Sequence, residues 1–236
     1  GGKLAAISAI AVFTSICLSL APLARPECVK DAKYRRLAGG GNRVFVQYDC
    51  DYGYHNELAS LSMVGEEGAI RHLFARDDLR VSPGSIAFFL FVYWPLTILP
   101  YGSIVPAGSF VPNLLIGACV GRFFGELLED DAYASTGSPG VYAAIGAAAM
   151  LGGWTRTMMA IIITLGEITG DISLTLPLIL ATLISRQIAR NIAHHSFTHA
   201  LVDETEHDDH SMVPAKWLDP QAPQTPSYKK RRESFV

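Results

Sequence analysis

Five long apolar runs constrain this chain more than any other feature. They cover residues 4 to 24, 85 to 101, 111 to 128, 140 to 169 and 172 to 190, mostly near the roughly 20 residues that a helix needs to cross the hydrocarbon core of a bilayer. At that depth no water satisfies the backbone, so each run must close its own hydrogen bonds as a helix. Half of the 236 residues are hydrophobic and 17% are charged, a profile beyond that of a typical soluble domain. The expectation is an all-α membrane protein in a lipid bilayer. The first run, "KLAAISAIAVFTSICLSLAPLA", has the Lys and small-residue flanks of a secretory signal, but further membrane segments follow and it is read as a helix. Gly1 and Gly2 stand directly inside a helical pattern, so the chain is expected to belong to something longer.

Several function classes drop out. A net charge of -3 and the lack of a basic face large enough to neutralise many phosphates argue against a nucleic-acid partner. No segment resembles a nucleophile elbow, a phosphate loop or a metal-hydrolase signature, so the chain is not expected to be an enzyme. Cys17 and Cys119 lie in apolar runs and read as small buried hydrophobes. Cys28 and Cys50 flank one polar loop and would pair if that loop faces an oxidising lumen, which two thiols leave open. His195 and His199 have the i, i+4 spacing of a metal pair, and His207 and His210 bracket two Asp. They straddle a helix end and a polar tail with no fixed geometry, so no metal site is expected.

Between the runs the chain is punctuated. Residues 25 to 54, with "GGG" at 39 to 41, read as a connector. "HNELASLSMVGEEGAIRHLF" places Leu58, Leu61, Ile70, Leu73 and Phe74 on the apolar side of short amphipathic turns, divided at Gly65 and Gly68. Pro95 predicts a kink in the second run, and Tyr93, Trp94 and Tyr101 read as interfacial aromatics. Gly117, Gly121 and Gly125 form a stripe of small residues that lets another helix approach to backbone contact. Ala144, Ala148 and Gly152 repeat the device, as do Gly166 and Gly170. From Asp203 the sequence is polar, with Pro and opposite charge blocks, and is expected to be a flexible aqueous tail; Lys229, Lys230, Arg231 and Arg232 read as a solvated charge run.

The stretch "GSIVPAGSFVPN", residues 102 to 113, interrupts two apolar runs with Pro, Gly and Ser. A helix beginning at Ser109 or Phe110 leaves its first amides without carbonyl partners, and Pro112 is tolerated in the first turn because no donor is needed there. Gly108 is read as permitting the tight turn. Such a helix start inside a membrane aims amides and a positive dipole end at a cavity, which suits an anion.

These residues resemble the Gly-x-Phe-x-Pro segment of the CLC chloride channels and anion/proton exchangers. "GSFVP" at 108 to 112 followed by "NLLIGACVGRFFG", "YHNELASL" at 54 to 61, "AIRHLF" at 69 to 74, "GAAAMLGGWTRTMMA" at 146 to 160 and "LGEITGD" at 165 to 171 occur in the family's order, with a plant-like and lysosomal or vacuolar flavour. The resemblance implies a CLC-like inverted-repeat helical bundle of which residues 1–202 are the second repeat only, followed by a cytoplasmic tail at 203–236. It implies chloride or a similar small anion as the transported ligand, no cofactor, an endomembrane location and a homodimer of the full-length parent. By position, the amides of Ser109 and Phe110 contact the central anion, within the segment Gly108, Ser109, Phe110, Val111 and Pro112. The family's Tyr hydroxyl falls, counting without gaps through "ISRQIARNIAHHSFTHALV", on Phe197, with Thr198 beside it. Phe lacks the O–H donor, so one hydrogen bond to the anion, worth about 1.5–3 kcal/mol, would be missing.

The gate and proton glutamates of the family belong to the half preceding residue 1, so channel and exchanger are not separated, nor chloride and nitrate. Two alternatives stand beside transport: a non-conducting half-domain with a structural or dimerisation role, and an unrelated multi-span protein whose "GSFVP" is a surface turn. Arg122, Glu126, Arg156 and Glu167 interrupt apolar helices and each needs a partner. Arg156 is expected to snorkel or cap a helix end, and Glu167 to serve packing.

Overall fold

The computed structural model describes residues 2–24, 28–30, 46, 48–51, 54–75, 81–102, 108–130 and 137–193, all within one compact unit, Gly1–His194. The readings on His195, Phe197, Thr198, His199, His207, His210 and the polar tail lie outside the described residues. The elements are α1 (Gly2–Ala24), β1 (Cys28–Lys30), β2 (Tyr54–Asn56), α2 (Glu57–Ser62), α3 (Glu66–Leu73), α4 (Pro83–Ile98), α5 (Phe110–Asp130), α6 (Pro139–Thr155), α7 (Met159–Thr169) and α8 (Thr175–Ile192). Single 3-10 turns at Leu99–Gly102 and Ile172–Leu174 follow α4 and precede α8.

Among the described residues three helical spans are long and apolar enough to cross a membrane, and their burial ranks them. Phe110–Leu128 is 61% buried, against 11% for Ile7–Ala24 and 17% for Ile172–Ile192. Helix α5 is therefore the centre, with α3, α4 and α6 packed on it, while α8 packs on the far side of α6. The predicted glycine stripe explains the closeness of the central pair. A Cβ on Gly117 would stand 2.6 Å from the Gly146 carbonyl oxygen, and one on Gly121 would stand 2.1 Å from that of Tyr142. Lipid gives helices no hydrophobic reason to associate, so contact must come from backbone surfaces that side chains do not hold apart. Ala144 and Ala148 are fully buried and Gly152 meets Thr182 of α8, as the second stripe predicts.

Local signals set the ends. Asn56 caps α2 by accepting from the Ala59 amide at 3.1 Å. Gly65, at φ 87°, starts α3, whose first turn carries Glu66 and Glu67 and whose last carries Arg71 and His72, matching the helix dipole. Pro83 and Pro139 open α4 and α6, where the missing N–H costs nothing.

The structure corrects several expectations, and Cys17, read as buried, is only half-buried. The run 140 to 169 is two helices, because Arg156 takes a left-handed conformation at φ 60° and ends α6. Gly166 and Gly170 are not a packing stripe: neither would place a Cβ within 4 Å of anything, and Gly170, at φ 64°, is the left-handed cap of α7. Gly68 lies inside α3, and the division between α2 and α3 falls at residues 63–65. Residues 25 to 54 are more than connector, since β1 and β2 pair antiparallel, with Val29 opposite His55, and Cys28 is disulfide-bonded to Cys50. Tyr93 is not interfacial but 5% exposed and stacked on Phe89, while Trp94 one residue on is exposed.

Candidate functional site

The site is assembled around the first turn of α5. Gly108 and Ser109 precede the helix, and Phe110, Val111 and Pro112 form its opening. Pro112 brings no donor, and the Asn113 amide reaches the Ser109 carbonyl at 3.4 Å. Among the described residues no acceptor stands opposite the amides of Ser109, Phe110 or Val111. These are the orphan donors of a helix start, at the positive end of a dipole equivalent to roughly half a charge. Gly108 has neither a positive φ nor a neighbour that a Cβ would meet, so the tight turn expected of it is not seen.

Asn113, which sequence reasoning passed over, orders this end. Its side chain is buried and its Nδ2 donates to the Ser109 carbonyl at 2.8 Å. A trans peptide holds its C=O and N–H antiparallel. Fixing the Ser109 oxygen toward the helix therefore fixes the Phe110 N–H away from it, outward. The available signal was an amide side chain directly after a first-turn Pro.

Gly108 and Pro112 border a crevice of about 200 Å³, whose other walls include Thr14 and Leu18 of α1, Glu66 of α3, and Tyr93 and Thr97 of α4. The Tyr93 hydroxyl donates to Glu66 Oε1 at 2.5 Å, across 27 residues of sequence. No sequence signal links these two, since their meeting depends on how α3 and α4 pack.

The buried charges hold the walls in register. Arg122, fully buried in α5, donates through Nε to Glu126 Oε1 at 2.9 Å and through one Nη to the carbonyls of Leu73 and Ala75 at 2.9 and 2.7 Å. Glu126 also accepts from the Val81 amide at 3.3 Å. Glu57 of α2, likewise buried, accepts from the Ser82 amide at 2.9 Å, directly before α4. Both ends of the link from α3 to α4 are thus tied down by paired charges, as buried ions require. Arg156 caps α8 through the Ala193 carbonyl at 2.5 Å, and Glu167 is exposed. Among the described residues no group of three metal-ligating side chains occurs, and Phe197 lies outside them.

Comparison with known proteins places this geometry in context. The sequence profile described as "Voltage gated chloride channel" matches residues 3–190. The chain is 34% identical over 173 residues to the chloride channel-like protein CLC-g of Arabidopsis thaliana, covering 72% of this chain and 22% of that one. It is 35% identical over 138 residues to the human H(+)/Cl(-) exchange transporter 7, covering 58% of this chain and 17% of that one. The solved structure of a eukaryotic CLC transporter superposes with a TM-score of 0.51 at 22% identity, covering 85% of this chain and 33% of that chain. The chain thus spans about a fifth of the length of the curated relatives it matches, and its fold is that of part of the solved transporter.

Proposed function

The chain belongs to the voltage gated chloride channel family, and from that premise we propose that it carries part of the pathway by which chloride crosses a membrane. The observation that supports this reading is the start of α5, where the amides of Ser109, Phe110 and Val111 have no acceptor among the described residues, Asn113 fixes the Ser109–Phe110 peptide, and the neighbouring Gly108 and Pro112 border a crevice. Amides at a helix start bind an anion through partial charges rather than through a fixed cation. That permits binding strong enough to replace hydration and weak enough to release. No cofactor enters this reading; chloride is the ligand, held at the amides of Ser109 and Phe110. Relatives named as channels and as an exchanger are both similar to this chain, so the proposal stands at the level common to them. The Cys28–Cys50 disulfide supports an endomembrane placement with that loop in an oxidising lumen. A homodimer of the parent belongs to the same reading, with the exposed apolar faces of α7 and α8, at Met159, Ile163, Leu176 and Ile184, open to lipid or to a second copy.

The experiment is alkylation of a Ser109→Cys variant in membranes, with Cys17 and Cys119 replaced by Ser. Chloride is expected to slow modification in a saturable way. Labelling at one rate whatever the anion concentration would return "GSFVP" to the status of a surface turn.

A further inference from the structure

Helix α1 is a lightly held wall of the crevice. Its span Ile7–Ala24 is 11% buried. Thr14, Cys17 and Leu18, half-buried, and Ala21, buried, stand at helical spacing on the face that packs against α2 and α4. From that face Thr14 and Leu18 border the crevice, opposite Gly108 and Pro112. The second attachment of α1 is covalent. Cys28 follows the end of α1 at Ala24 by four residues and is bonded to Cys50. The segment that carries Cys50 is anchored, because the Asp51 carbonyl accepts from the Tyr54 amide at 3.0 Å and β2 runs directly into α2. Residues Glu57 to Leu61 of α2 are buried, and Glu57 holds the Ser82 amide. The bond therefore ties a weakly buried helix to one built into the core. The sheet does not replace it, since β1 and β2 are three residues each and a lone two-stranded pairing is marginal in water.

We propose that the Cys28–Cys50 bond is a redox-sensitive clamp on α1: closed, it holds the Thr14 and Leu18 wall against α4, and when a dithiol opens it, α1 loosens and the crevice widens. Cys28 is exposed and Cys50 half-buried, so the bond is open to a thiolate arriving at Cys28, and access is one of the terms that sets the rate of exchange. The reductant is a small dithiol or a dithiol protein in the compartment that the loop faces. One of its thiolates attacks Cys28 Sγ, the S–S bond breaks, and Cys50 leaves as a thiolate that takes up a proton. The second thiol of the reductant then displaces Cys28 Sγ from the mixed disulfide, and Cys28 is protonated in turn. The protein gains two electrons and two protons, and the reductant becomes a disulfide. The inference goes beyond the anion reading and does not depend on it, since a loosened α1 reshapes the crevice whatever occupies it.

The chain carries its own reporters for the test: Cys17 on the packed face of α1, and Cys119, buried in α5. The full chain in native membranes is treated with dithiothreitol, freed of it and pulsed with N-ethylmaleimide, and modification at each Cys is read by peptide mass spectrometry. Modification of Cys28 and Cys50 marks the bond as open. In that state Cys17 is expected to react roughly threefold to tenfold faster than in the oxidised protein, as a locally loosened helix does, while Cys119 stays unmodified. A Cys17 rate that is unchanged when Cys28 and Cys50 are fully modified overturns the inference. Modification of Cys119 in step with Cys17 also overturns it, because that marks general unfolding rather than release of α1. Failure of excess dithiothreitol to expose Cys28 and Cys50 overturns the redox sensitivity. The double variant Cys28→Ser, Cys50→Ser is expected to show the fast Cys17 rate without reductant and no further change with it; a slow rate, or a rate that still responds to dithiothreitol, overturns the clamp.

Discussion

The peptide joining Ser109 to Phe110 carries a carbonyl and an N–H that point in opposite directions, so whatever holds one aims the other. Asn113 holds the carbonyl at 2.8 Å. Asn113→Ala is therefore expected to let this peptide rotate and to lower chloride affinity about threefold to tenfold, the equivalent of one hydrogen bond of about 1 kcal/mol. Helix content by circular dichroism is expected to stay constant. An unchanged affinity in calorimetric titration would mean that the outward N–H does not need this support. The segment itself was legible, because Gly, Ser and Pro between apolar runs carry a backbone meaning that survives without a structure. Glu66 and Tyr93 were not, since one reads as an ordinary first-turn acid and the other as an interfacial aromatic until α3 and α4 are packed together. Arg122 was legible as a charge needing partners, but not which: two of its acceptors are backbone carbonyls 49 and 47 residues away.

Helix α5 meets α6 through glycine, and the two ends of the glycine inventory separate packing from caps. At Gly121 a Cβ would stand 2.1 Å from the Tyr142 carbonyl oxygen, and backbone cannot retreat as a flexible side chain can. Gly121→Ala is expected to force the helices apart and to lower unfolding stability in detergent by about 1–3 kcal/mol, the range for overpacking. At Gly166 nothing lies within 4 Å, and Ala in the last turns of α7 is expected to be neutral or stabilising by up to about 1 kcal/mol. Thermal unfolding of the two variants side by side checks the contrast, and equal loss in both would refute the assigned contacts. Spacing alone marked all three small-residue stripes alike, because a period of four says which residues share a face but not what the face meets. Hydropathy likewise joined α6 to α7 across residues 140 to 169, since a single left-handed residue at Arg156 turns the chain without changing its polarity.

At the scale of the whole molecule, burial rises from α1 and α8 to α5 while mean hydropathy falls from 2.0 and 1.6 to 1.3, so the most apolar spans are the ones that face outward. Least legible were β1, β2 and the Cys28–Cys50 bond, because they form by closure at a distance and leave no periodic trace. That disulfide closes a loop of 22 residues, which in the chain-entropy account restricts the unfolded state by about 3 kcal/mol. It also assigns a side, since disulfides persist in oxidising compartments. A spanning α1 then has its Gly2 end toward the reducing face and its Ala24 end toward the lumen. In native membranes, a bulky maleimide is expected to leave Cys28 and Cys50 unmodified until a reductant is added. Cys28→Ser is expected to expose Cys50 to the reagent from the lumenal side only, and to lower unfolding stability by about 3 kcal/mol. Modification of both residues without reductant, or of Cys50 from the opposite face, would reverse the orientation of α1 and with it the compartment that the α1–α2 connection faces.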